Sequence, residues 1–214
     1  MTKEEIINLA LIRIGESPIT SLDEGSTAAR TADLLYDASR RAILRDSDWN
    51  FAVKSVLLNP VDTDEAPAVF AVPADCLRVM RVYDKAKFNT AYSNTKTVEF
   101  SGPLAPDGNL MDRYSRYQKE WFKVQGSNLY TYARAPLCFY VRDEEDTSKF
   151  DAKFCEATSY KLAGELAMPV RQSESLMASM LNAYQNVVAT AATETMNEHD
   201  TNAPRNPYVE VRDV

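Results

Sequence analysis

The stretch from Leu9 to Ala52 constrains this chain more than any other. It holds two helical segments joined by a Gly/Pro corner and closes on Asp48-Trp49-Asn50-Phe51-Ala52. Thr2 and Glu5 form a Thr-x-x-Glu capping box, in which each side chain satisfies a backbone N–H at a helix start. Ile6, Leu9, Ala10 and Leu11 to Ile14 follow without a breaker. Gly15 sits where a C-cap glycine belongs, and Pro18 prevents continuation. These signals predict a first helix over about residues 3–14. A second should start near Ser26 or Thr27 and run to about Asp46. Its core stripe is Ala28, Ala32, Leu35, Tyr36, Ser39 and Ile43, recurring at i+3/i+4. Small residues on that stripe suggest close helix approach. Arg30, Arg41 and Arg45 occupy another face, which is either a solvated surface or an inter-subunit or DNA-facing stripe. Trp49 and Phe51 read as a hydrophobic plug at one end of a helical bundle.

From Val53 the sequence changes character. Val53 to Leu58 is a strand-like run ended by Asn59-Pro60, and residues 59–76, with Pro60, Pro67 and Pro73, read as a loop. Leu77 to Tyr83 and Thr97 to Phe100 are strand-like, as are Trp121 to Gln125, Asn128 to Arg134 and Leu137 to Arg142. Ser101-Gly102-Pro103 and Asp107-Gly108 are turn chemistry, and Gly126-Ser127-Asn128 reads as a hairpin turn. This spacing predicts an antiparallel sheet rather than βαβ units. Residues 109–120 fit either a short helix or a polar loop.

Helical patterning then returns. Asp143-Glu144-Glu145-Asp146 is an acidic run placed to cap the next helix, where negative charge suits the N-terminal dipole end. That helix is expected over about residues 149–167. Phe150, Phe154, Leu162, Ala163 and Leu166 nearly surround it, so it should be central, and Met168-Pro169 should end it. Ser173 caps a fourth helix, about 174–197, with the stripe Leu176, Met180, Ala183, Tyr184, Val187 and Ala191. Residues 201–214 hold Pro204 and Pro207 and no helical period.

The fold class this implies is α+β, mainly α. A four-helix bundle is built from both chain ends, residues 1–52 and 147–200. An antiparallel β-rich domain, 53–146, is inserted between them, and an extended arm, 201–214, follows. With 214 residues, 45% hydrophobic and 26% charged, the chain can bury a real core. No apolar run is long enough for a spanning helix, and Met-Thr-Lys-Glu-Glu lacks the apolar core of a signal peptide. Cys76, Cys138 and Cys155, without CxxC spacing, read as buried small hydrophobes in a reducing compartment. A net charge of −7 argues against a dedicated nucleic-acid binder. It suits either simple solubility or a channel wall that repels sliding DNA.

No catalytic constellation stands out. The single histidine, His199, lies at a helix exit beside Asp200 and reads as solvated. There is no P-loop, GxGxxG or HExxH. Asp62, Asp64 and Glu65 lack the glycine and distal glutamate of a calcium loop. Neither a metal nor a cofactor is expected. The 31 acidic residues could always supply the carboxylate pair that glycoside cleavage needs, so their presence does not discriminate.

In order, Leu9-Ala10-Leu11-Ile12-Arg13-Ile14-Gly15-Glu16-Ser17-Pro18-Ile19, the long Ala/Arg-rich helix and the Trp49-x-Phe51 signature resemble the tail tubular protein A family, head–tail adaptors of short-tailed bacteriophages. Pro73 to Tyr83 is similar to that family's Pro, then Leu-Arg-Val strand, and Val124 to Tyr130 to its Gly-x-x-Leu-Tyr segment. Ser127 stands where an arginine is usual, so that arginine's role does not carry over. The resemblance spans roughly residues 5–198. It implies a structural virion protein, made in the host cytoplasm and located at the head–tail interface. Its partners would be itself, in a ring of twelve, the portal protein, and a tail nozzle of tail tubular protein B type. DNA would pass through the lumen without specific binding, and no membrane would be involved. Arg30, Arg41 and Arg45 are then candidates for the subunit interface. Pro207, Tyr208, Val209 and Val211 are candidates for binding portal or a neighbouring subunit, in an arm that orders on assembly. The alternatives are an adaptor-associated peptidoglycan hydrolase and a non-phage helical scaffold protein.

Overall fold

A computed structural model describes residues 1–86 and 119–198. The expectations for 97–103, 107–118, His199 and the arm 201–214, including Pro207, Tyr208, Val209 and Val211, lie outside the described residues.

Four α-helices and two antiparallel sheets make up the described residues, an α+β fold. Helix α1 is Lys3–Arg13. The Thr2–Glu5 capping box is formed in both directions. At the other end Gly15 adopts φ 73, the Gly15 N–H donates to the Ile12 carbonyl and the Glu16 N–H to that of Leu11. That is a Schellman ending, and it requires the left-handed conformation that glycine adopts without strain. Helix α2, Thr27–Asp46, is capped by the Ser26 hydroxyl. Its buried face is Ala29, Ala32, Tyr36, Ser39, Arg40, Ile43 and Leu44; Ala28 and Leu35 of the expected stripe are half-buried.

Helix α3, Ala152–Arg171, packs against α1, α2 and α4, the last being Glu174–Glu198. Its small buried residues Ala157, Ala163, Gly164 and Ala167 let the neighbours approach. A Cβ on Gly164 would lie 2.9 Å from Leu181 Cδ2 of α4. Two expectations about α3 need correction. Met168-Pro169 does not end it: Pro169 is exposed within the last turn, and the helix stops at Gln172, φ 50. A proline there removes one hydrogen bond, while Leu166, Ala167 and the half-buried Val170 keep the turn packed. Nor does the acidic run cap α3. Asp151 does so, through Lys153 N–H, after a 3₁₀ turn Thr147–Lys149 capped by Asp146.

The inner sheet has the order β1-β7-β4, from β1 (Val53–Leu57), β7 (Pro136–Arg142) and β4 (Cys76–Asp84). The outer sheet has the order β2-β3-β6-β5, from β2 (Pro60–Asp62), β3 (Ala68–Ala71), β6 (Asn128–Thr131) and β5 (Phe122–Gln125). Strands β2 and β3 correct the reading of residues 59–76 as loop. The proline-rich composition hid them, and Pro60 is tolerated because β2 is an edge strand. Gln125 pairs with Asn128 across the two-residue turn Gly126-Ser127, with Gly126 at φ 60, the glycine-first pattern of a type II′ hairpin.

These elements stack in three layers. Leu77, Met80 and Val141 of the inner sheet pack against Ile43, Leu44, Trp49, Phe154 and Tyr184 of the helical layer. Its other face, with Val56, Val79, Val82, Cys138 and Tyr140, packs against Phe70, Phe122 and Leu129 of the outer sheet.

Candidate interface sites

The most heavily bonded polar site joins the helical layer to the exit of β7. Arg40 is 1% exposed. Its Nη1 donates to Asp143 Oδ1 at 2.5 Å and to the Glu144 carbonyl at 2.6 Å, and its Nη2 faces Glu145 Oε1 at 3.7 Å. Arg41 takes the second oxygen of Asp143 at 2.8 Å. Glu144 is itself buried, paired with Arg142 and, at 3.4 Å, with Lys149. A buried guanidinium is tolerable only with this many acceptors, and in return it fixes geometry. The acidic run is therefore a clamp on α2. Hydrogen bonds from Ser148 and Lys149 hold the Asp146 carboxyl below its usual range. Sequence reasoning missed Arg40. The available signal was its position: i+4 from Tyr36 and i−3 from Ile43, squarely on the apolar stripe.

The three arginines singled out in the sequence have intrachain partners. Arg30 donates to the Gly25 carbonyl at 2.6 Å, Arg41 pairs with Asp143, and Arg45 donates to the Leu77 carbonyl at 2.7 Å. Arg30, at the N-terminal end of α2, stands apart from the other two.

Trp49 is 3% exposed, and its indole N–H donates to the Ile43 carbonyl at 3.0 Å. Its ring meets Phe154 edge-on at 5.1 Å; Phe51 contacts Phe154 at 5.0 Å and Phe150 at 5.6 Å. Edge-to-face geometry of this kind adds to area burial. The cluster lies where α2 passes into β1, against α3.

A polar seam runs between α2, α3 and α4. Ser39 donates to Glu165 at 2.5 Å, Tyr184 donates to Asp46 at 2.5 Å, and Lys161 lies over the Tyr184 ring. Burial, then the bond to Asp46, pushes the Tyr184 phenol up. All three cysteines are free. Burial pushes the Cys138 thiol up to about 12 and Cys76 to about 11.

Among the described residues no group of three or more His, Cys, Asp or Glu could hold a metal, and no helix is long and apolar enough to cross a membrane. Asp62, Asp64 and Glu65 are all exposed.

No curated protein matches the chain. The family model described as tail tubular protein matches residues 5–100, a little under half of the chain. That segment carries most of α1, the Gly15 corner, α2, Trp49 and Phe51, and strands β1 to β4. Over those residues the chain matches the tail tubular protein family of phages.

Proposed function

We propose that this protein is the head–tail adaptor of a short-tailed phage. Copies assemble as a ring, of twelve by the family resemblance, that joins the portal to the tail nozzle and surrounds part of the DNA ejection channel. The family match over residues 5–100 carries this reading. The net charge of −7 supports it, since an acidic lumen repels phosphate and lets DNA slide. In this reading the four helices act as one bundle contributed by both chain ends, with the sheets as an inserted domain. Residues 201–214, with Pro207, Tyr208, Val209 and Val211, form an arm that orders against portal or a neighbouring copy.

The function is assembly, without covalent chemistry. Electron microscopy of the purified protein mixed with portal tests it: closed rings seated on portal are expected, and absence of any complex would sink the proposal. Turnover of purified cell-wall sacculi, lost in a single Asp or Glu variant, would overturn the purely structural view. Deleting 201–214 should leave the melting temperature nearly unchanged and weaken attachment to portal; wild-type attachment would leave the arm without that role.

A further inference from the structure

The ion pairs of the helical layer and inner sheet contrast with the charges of the outer sheet. Lys123 and Arg134 are exposed, and their side chains have no acidic partner among the described residues, although the Arg134 backbone N–H donates to Asp84. Beside them stand two exposed aromatics, Trp121 at 52% and Tyr132 at 63%, with ring centroids 5.6 Å apart. On the opposite edge, Asp62, Asp64 and Glu65 are exposed and without a cationic partner among the described residues, next to Val61 at 59%.

The register decides how these two groups lie. Phe122 and Ala68 both pair with Thr131 of β6. The aromatic pair, just outside β5 and β6, and the acidic β2–β3 connection are therefore at the same end of the sheet. The order β2-β3-β6-β5 separates them by three interstrand steps, about 14 Å. One rim thus carries cations with apolar rings on one side and carboxylates with an apolar side chain on the other. Among the described residues no ion pair joins the two sides within one chain.

We propose that this rim is a head-to-tail contact between copies of this chain. Lys123, Arg134, Trp121 and Tyr132 of one copy receive Val61, Asp62, Asp64 and Glu65 of the next. The proposal rests on the ring reading above and names the surface that builds the ring. Charge complementarity favours a second copy as occupant: each copy presents both halves, so every contact leaves one half of each kind open. Repetition of such a contact gives a closed ring when the rotation closes. Pro60 and the charges on both edges discourage indiscriminate strand pairing, so side chains set the specificity. Paired Trp and Tyr beside cations are the residue types that concentrate binding energy in interfaces.

Sedimentation of the full chain tests the contact with two charge-reversed variants: Lys123→Glu with Arg134→Glu, and Asp62→Lys with Asp64→Lys. Circular dichroism verifies that each is folded. Each variant should self-associate at least about tenfold more weakly than wild type, because like charges then face one another. Mixing the two should restore assembly, since every contact regains opposite charges. Unchanged self-association of either variant would overturn the contact, as would loss in both without recovery on mixing. Wild-type protein that stays monomeric, alone and with portal, would overturn the ring reading and the contact with it.

Discussion

The two sheets are made of similar residues but live in different solvents. The inner sheet is covered on both faces, and six of the seven residues of β7, Pro136 to Val141, are buried. The outer sheet buries one face only: Phe70 and Leu129 point inward, while the three residues of β2 and three of the four in β5 are exposed. A strand buried on both faces needs a continuous apolar run, whereas one at a wet edge needs little apolar character at all. The difference is one of partners as well as of water. Arg40, Arg78 and Arg142, near the inner layers, are paired within the chain, whereas the side chains of Lys123, Asp62, Asp64 and Glu65 on the outer rim have no ion-pair partner among the described residues.

The two tryptophans break this comparison most sharply. Trp49→Ala removes the ring that fills the space between α2, β1 and α3 and should cost about 3–5 kcal/mol, read from the denaturant midpoint. A loss below about 1 kcal/mol would show that the aromatic cluster does not hold the helical layer to the inner sheet. Arg40→Ala should cost about 3 kcal/mol, toward the low end for a buried pair because Arg41 keeps Asp143 partnered. Arg40→Met, which fills the same space without a charge, should recover most of that loss; no recovery would mean that the ion pairs themselves supply the stability.

Thiol chemistry sharpens the comparison further. Cys138 lies between the sheets and Cys76 at the start of β4, with thiols pushed up to about 12 and about 11 by burial. Both are neutral at pH 8 and should react slowly with a disulfide reagent, Cys138 only on unfolding. Because the folded pKa values are raised, the stability they represent is complete below the free-thiol pKa and falls as pH rises toward the folded values. Rapid native-state labelling of Cys138 would mean that the sheets part. The smallest effect is expected at the rim: Trp121→Ala should change stability by less than about 0.5 kcal/mol while weakening self-association. A large stability loss would make Trp121 a core residue.

Legibility followed the same division. Helices α1 and α2 were readable to within a residue because caps are local: Thr2, Glu5, Gly15 and Ser26 act on their own backbone neighbours. Strand β7 was readable as a continuous apolar run. Strands β2 and β3 were not, since three and four residues beside prolines carry no period, and pairing with β6 is what makes β3 a strand. The acidic run misled because dipole capping is a local rule, and its partner Arg40 lies 103 residues from Asp143. The aromatic pair on the rim is likewise a register effect, visible only once β5 and β6 are aligned.

The central place of α3 has a consequence for synthesis. Helices α1 and α2 bury Ile6, Ile7, Leu11 and Tyr36 in a cluster completed by Leu162, Ala163 and Leu166 of α3. The first half of the chain leaves the ribosome before those residues exist. At about 5–20 residues per second, the wait from the end of α2 to the start of α3 is roughly 5–20 s. During that interval the apolar faces of α1 and α2 have each other but not α3 to pack against. The cluster of the helical layer is complete only when the second half of the chain returns to it.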